Sequence, residues 1–324
     1  MKRLLTASLL ALLSGTAFAA PSGKLVVYTS QTPEVAQQTI DAFKAKYPDV
    51  AVEWIRNGTA QLMNILRAEV AAGDVKPDVL FVADTINIGQ LKREGRLLPY
   101  AEAPTTPYDK AFHDADRTYF GTKIVATGIA YNTKTAKRPT SWSDLTAPSI
   151  KAQVALPSPL YSGAALNHLH TVAASPEIGW SFYAALAKNG VAPVGGNGPA
   201  LNDVAGGRAT YGIIADGDVM RAKANGSPVD FVYPKEGVSY ITEPAAILKT
   251  ARNIEAAKAF IDFLLSKEAQ QLVARQGNIP IHPEVPAPEG FPKLTDIKLL
   301  PLDVGQAINT DKEVKEKFRD IFGG

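Results

Sequence analysis

The stretch Leu25-Val26-Val27-Tyr28-Thr29-Ser30-Gln31-Thr32-Pro33-Glu34, which runs on to Phe43, changes character in its middle. Leu25 to Tyr28 is short, apolar and rich in β-branched residues, which predicts a buried strand. Thr29 to Thr32 is a polar turn. Pro33 suits the first position of a helix, Thr32 suits the N-cap and Glu34 suits the first turn. Val35, Ala36, Ile40, Ala42 and Phe43 then share one helical face. A strand that ends in hydroxyl residues at a helix start directs unpaired backbone N–H groups into open space, where an anion can be held. Taken alone, Thr29 and Ser30 merely finish a turn, but the arrangement recurs along the chain.

The same alternation continues. Val50 to Ile55 is a predicted strand, Gln61 to Ala72 a helix, Pro77 to Val82 a third strand and Ile86 to Glu94 a third helix. This is the pattern of a parallel sheet wrapped by helices, in which ligands bind beyond the C-terminal strand ends. Those ends are Thr29-Ser30, Asn57 to Ala60 and Ala83 to Thr85, all short and polar. Leu97 to Arg117 reads as a surface excursion, and Lys123 to Asn132 as an apolar strand bent at Gly128. Val154 to Leu156 is a strand that ends in a small polar loop with Ser162-Gly163, ahead of a helix from Ala164 to Ala174. Tyr211 to Ile214 is a strand running out into an Asp216-Gly217-Asp218 turn. Phe231 to Tyr233 and Ala245 to Leu248 are further strands. Ile254 to Gln276 is one amphipathic helical region, and Lys312 to Phe322 a solvated helix.

Composition narrows the class. The chain has 324 residues, enough for one large or two medium domains, and no cysteine, which removes disulfides, thiolate metal sites and a cysteine nucleophile. Lys2-Arg3, the apolar run Leu4 to Leu13 and Ala17-Phe18-Ala19 predict a secretory signal peptide over 1–19. Its removal takes Lys+Arg from 34 to 32, equal to the 32 acidic residues, so the mature chain is near neutral and carries no basic patch for nucleic acid. The expected compartment is the periplasm.

Val27-Tyr28-Thr29-Ser30, Pro77-Asp78-Val79-Leu80-Phe81, Ala130-Tyr131-Asn132, Pro157-Ser158-Pro159 with Ser162-Gly163, Tyr211-Gly212-Ile213 and Ala245 to Lys249 follow in one order. In that order the chain resembles periplasmic solute-binding proteins of ABC importers, in the branch of ferric-iron, hexose-phosphate and 2-aminoethylphosphonate binders. The resemblance implies a type 2-like fold with two α/β domains, a hinge and a ligand cleft between them. It places 20–126 plus 244–290 in the first domain and 127–243 plus 291–324 in the second. It also implies a monomer without cofactor or catalysis that delivers a small anionic ligand to a permease in the inner membrane.

Iron-binding members hold metal with two adjacent tyrosines after the Tyr211-Gly212-Ile213 strand, often with a histidine in the first loop. Here Gly217-Asp218 and Thr32 stand at those places, so iron is disfavoured and no metal residues are assigned. His168 and His170, two apart on a helix, face different ways, and all four histidines, with His113 and His282, are expected at the surface or in caps. Phosphate-type members bind the anion with N–H groups and hydroxyls at helix starts. Thr29, Ser30, Thr59, Ala60, Ser162, Gly163 and Ala164 are the candidates for that end. Asp216, Asp218 and Glu243, covered by Tyr161 and Tyr28, are candidates for an ammonium or for hydroxyls at the other end. An ammonium gives 2-aminoethylphosphonate, the preferred expectation, and hydroxyls give a hexose phosphate. A periplasmic phosphoester hydrolase is the competing class. However, the chain has no Gly-x-Ser-x-Gly elbow, His-Glu-x-x-His motif or Walker loop.

Overall fold

β1 (Gly23–Thr29) lies between β2 (Val50–Arg56) and β3 (Val79–Phe81), parallel to both. Its alternation is two-sided. Leu25 and Val27 enter a core with Phe43 and Phe260, whereas Tyr28 enters a separate core with Leu62, Leu66 and Leu80. This double burial is why the strand reads as a continuous apolar run. The helices α1 (Pro33–Lys46), α2 (Thr59–Ala72) and α3 (Thr85–Arg93) alternate with the strands, and β10 (Ala245–Ile247) joins antiparallel beside β3. The computed structural model describes residues 20–323, so the expected signal peptide, 1–19, lies outside the described residues.

A second sheet is organised by β4 (Lys123–Asn132), buried along its whole length. It pairs antiparallel with β7 (Tyr211–Ala215), β8 (Val229–Val232), β9 (Ser239–Ile241) and β11 (Ile279–Pro280). β5 (Val154–Pro157) and the short β6 (Pro193–Val194) extend the β7 side in parallel. The helices α4 (Gly163–Ala174), α5 (Gly179–Lys188), α6 (Asn197–Ala205) and α7 (Asp216–Ala224) surround this sheet. Two segments cross between the sheets side by side. Phe120 bridges Ala245 next to the smaller sheet, and Val125 pairs with Ile241 in the larger one.

Several expectations are corrected by packing. β4 is continuous through Gly128, where the need is for room: a Cβ there would stand 2.5 Å from the Phe231 ring and 2.7 Å from Val232 O. The region 254–276 is two helices, α8 (Ile254–Leu264) and α9 (Lys267–Arg275), because Ser266 caps a new start by accepting from Ala269 N at 3.2 Å. The segment 97–117 is no surface excursion, since Leu97, Tyr100 and Tyr108 are buried and the Tyr100 hydroxyl donates to Asp262 at 2.9 Å. The last helix, α10 (Val304–Phe322), starts earlier than predicted and is not solvated all round. Its Phe318 is buried against Tyr183, ring centroids 5.8 Å apart.

His168 and His170 are not at the surface either. Both lie buried in α4, where burial holds the His168 imidazole down at about 3 and its Nδ1 meets Ser239 Oγ at 2.8 Å.

The core of the smaller sheet turns on Phe260, which is fully buried and meets Phe43 edge-on at 5.0 Å and Phe81 at 6.3 Å. Phe260→Ala should therefore destabilise the chain by about 3–5 kcal/mol in denaturant unfolding, through lost burial and an unfilled cavity.

Candidate functional site

A cleft of about 560 Å³ opens where the C-terminal strand ends of both sheets face one another. Its walls are built mainly by helix beginnings. α1 starts after Thr32, α2 after Gly58 and α6 after Gly196, and in none of the three does the N-cap side chain take up a first-turn N–H. α4 starts after Ser162, whose Oγ accepts from Ala165 N at 3.3 Å. All four starts line the cleft. Their first-turn N–H groups lack helical partners and carry the positive ends of the helix dipoles.

The hydroxyls fit the same use. Ser30 Oγ accepts from Ala83 N at 2.8 Å, so its own proton remains free to donate, and the Ser162 proton is free in the same way. Thr59 Oγ1 is buried against the cleft with no hydrogen-bond partner among the described residues. An unpaired buried hydroxyl is unfavourable unless another group completes it.

Two glycines let the walls approach. A Cβ on Gly163 would lie 2.6 Å from Ala83 O and 2.8 Å from Thr59 Oγ1, so only glycine lets the start of α4 reach the end of β3. A Cβ on Gly58 would stand 2.5 Å from the Tyr161 ring, and one on Gly196 would stand 3.2 Å from it. Tyr161 thus occupies a slot between two helix starts from different sheets, and its carbonyl accepts from Ala60 N at 3.3 Å.

Of the candidates for the anion end, Ser30, Thr59, Ser162, Gly163 and Ala164 line the cleft together. Thr29 and Ala60 do not. Thr29 is buried at the strand end with its hydroxyl accepting from Gln31 N at 3.2 Å. The Ala60 amide is committed to Tyr161, and Ala60 faces a separate pocket of about 190 Å³. At the other end Tyr161, Asp218 and Glu243 line the cleft, whereas Tyr28 and Asp216 do not. Tyr28 is buried in the core over the β1 sheet, its hydroxyl donating to Glu69 Oε1 at 2.6 Å.

Asp216 belongs to no solvated turn. It opens α7 from a buried position, accepting from Gly217 N at 2.8 Å, Ala126 N at 3.2 Å and the Tyr233 hydroxyl at 3.1 Å.

Sequence reasoning missed the cations. Arg56, Lys123 and Arg221 line the cleft beside Asp218 and Glu243, three positive groups against two negative. Arg221 pairs with Asp218 and also donates to Gln276 O at 3.0 Å, while Lys123 Nζ meets Glu243 Oε2 at 2.6 Å. Arg56 ends β2, and the strand-end rule that selected Asn57 to Ala60 covers it equally. Lys123 opens an otherwise apolar strand, which is itself a sign of a specially held charge.

A family model described as bacterial extracellular solute-binding protein matches residues 29–271. The chain belongs to that family. It is a solute-binding component of an ABC importer with the two-domain fold of periplasmic binding proteins. Members of the family bind small ligands and work with permeases of the inner membrane. An uncharacterized protein of Haemophilus influenzae is 32% identical over 292 residues, covering 84% of this chain and 82% of its own length. The spermidine/putrescine-binding periplasmic protein of Escherichia coli is 28% identical over 218 residues, 60% of each chain. The periplasmic binding protein AfuA of Actinobacillus pleuropneumoniae, solved with exogenous fructose-6-phosphate bound, has a TM-score of 0.84 at 26% identity, covering 93% of this chain and 98% of AfuA.

Burial pushes the Asp216 carboxyl from its ordinary 3.8 up to about 7, against the pull of its three hydrogen bonds. The folded chain therefore keeps this proton across a window in which the unfolded chain has released it, and stability falls as pH rises from about 4 to about 7. Asp216→Asn should remove that component. Urea unfolding of both proteins from pH 4 to 8 should show the native protein losing stability relative to the variant through the window and no further change above it.

Proposed function

We propose that this protein captures a small organic phosphate bearing hydroxyl groups, of the sugar-phosphate kind, and delivers it to its permease. The observation that carries the reading is the convergence of four helix starts on one cleft together with the unpartnered Thr59 hydroxyl. Donors already fixed in place can hold a phosphate without reorganising. Arg56, Lys123 and Arg221 add positive potential to the same cleft. The cleft volume of about 560 Å³ suits a monosaccharide phosphate. AfuA, at similar fold and 26% identity, was solved with fructose-6-phosphate.

The polar end separates the two phosphate-type ligands. An aminoethylphosphonate asks for a free carboxylate, but Asp218 is paired to Arg221 and Glu243 to Lys123. Ion-paired carboxylates still accept hydrogen bonds from hydroxyls. That shifts the preference from 2-aminoethylphosphonate to a hydroxylated phosphate. A polyamine, the ligand named for the relative from Escherichia coli, is a multiple cation and is opposed by the same helix starts and basic groups. On this reading the domains are 20–126 plus 244–290 and 127–243 plus 291–324, swinging about the crossing segments.

Calorimetric titration of ligand-stripped mature protein with fructose 6-phosphate, 2-aminoethylphosphonate and spermidine tests the proposal. Tight one-site binding of the sugar phosphate is expected, with weaker phosphonate binding and no heat from spermidine. Ser162→Ala and Asp218→Ala should each weaken binding roughly tenfold or more while the chain still folds, Ser162→Ala also lowering the melting temperature slightly through the lost cap of α4. Binding of spermidine alone would overturn the reading.

A further inference from the structure

Exposed ion pairs are screened by water and hold little, but a buried pair strongly resists losing one partner. Lys123 and Glu243 are such a pair, with side chains 4% and 5% exposed. Gln31 Nε2 donates to the same Glu243 oxygen at 3.0 Å, and Lys123 and Glu243 both form part of the cleft wall. The pair also sits on the two segments that cross between the sheets. Thr122 N and Lys123 N donate to Thr242 O at 2.8 and 3.2 Å, and Thr122 Oγ1 donates to Glu243 O at 2.9 Å.

Glu243 is the residue under backbone strain. Its φ is +42°, in the left-handed region that side chains with a Cβ disfavour, and it precedes Pro244, which disfavours helical conformations for its neighbour. A conformation of this kind persists only where its surroundings overdetermine it. Here the surroundings are Lys123, Gln31 and Thr122, from both sides of the crossing.

The two halves are also in contact away from the crossing. Ala60 N reaches Tyr161 O at 3.3 Å, Thr85 Oγ1 donates to Asn167 Oδ1 at 2.6 Å, and Asn167 Nδ2 donates to Asp84 Oδ1 at 3.3 Å.

We infer that Lys123 and Glu243 are positioning residues that tie ligand capture to the angle between the two halves. Their ion pair holds the crossing segments in the closed arrangement and stores the strain at Glu243. Lys123 has three N–H donors, so it can keep Glu243 and still meet an anionic ligand from the cleft wall. Loss of the pair lets Glu243 return to extended backbone and the halves separate. The link to an anion rests on the function proposed above; the control of the angle does not.

The absence of cysteine makes the test direct. Spin labels at Lys44→Cys in α1 and Lys188→Cys in α5, both exposed, report the separation of the halves by dipolar spectroscopy. Ligand-stripped protein is compared with the same protein carrying Glu243→Gln or Lys123→Met. Both variants are expected to give a longer and broader distance distribution than the parent, with circular dichroism unchanged. Distributions indistinguishable from the parent in both would overturn the inference. If Lys123→Met does not fold, because it leaves a buried carboxylate unpaired, Glu243→Gln alone decides.

A second arm adds fructose 6-phosphate. It should narrow the distribution about the closed separation in the parent and do so less in Lys123→Met. If the sugar phosphate fails to bind the parent, the proposed ligand falls, while the ligand-stripped comparison still decides the role of the pair.

Discussion

In a βα unit the helix begins where the strand ends, so its unpaired N–H groups always lie at the same edge of a parallel sheet. Two such edges face each other here, because the segments around 120–125 and 241–245 cross between the sheets as an antiparallel pair. From that single constraint the cleft inherits its donors. α1 and α2 contribute from one sheet and α4 and α6 from the other, and no side chain had to be supplied for that purpose. The close approach then depends on residues without bulk, which is the part played by Gly58, Gly163 and Gly196.

The electrostatics follow from the same crowding. Arg56, Lys123 and Arg221 would repel one another in so small a space without the two acids among them. Asp218 and Glu243 pair with Arg221 and Lys123 and leave Arg56, with the helix starts, as the positive excess of the cleft. Asp216 lies two residues from Asp218 but behaves differently, since burial and three donors make it part of the frame of α7 rather than of the cleft.

The strands and most helices were legible in the amino-acid order because burial imposes period. β4 was read to the residue, and Val50 and Val154 mark true strand starts. What escaped has a physical reason in each case. The break at Leu265-Ser266 hides inside one continuous apolar stripe, and only the serine cap reveals it. Tyr28 and Asp216 look like site residues in a linear reading, because tyrosine and aspartate at strand ends suit a ligand. The Tyr28 side chain instead enters the core beneath, since alternate residues of a strand point to opposite faces, and Asp216 opens α7 with its carboxylate turned to Ala126 N, Gly217 N and the Tyr233 hydroxyl. Within the cleft, Ser30, Thr59 and the Ser162 to Ala164 turn were readable from helix-start chemistry. Lys123 was readable only as a charge at the start of an apolar strand; its partner Glu243 is 120 positions away, and no local pattern names a partner at that distance.

The seat of Tyr161 bears on time rather than on affinity. Its ring fills the gap between Gly58 and Gly196, and its carbonyl is tied to the first turn of α2. The loop carrying it follows β5 of the larger sheet, whereas Gly58 opens α2 beside the smaller one, so the ring bridges the two. On the function proposed above, this contact has to break before a solute leaves. Escape must wait for the halves to part. The residence time of the solute is then set by a motion of the whole protein, which is also the motion a transporter can sense and exploit.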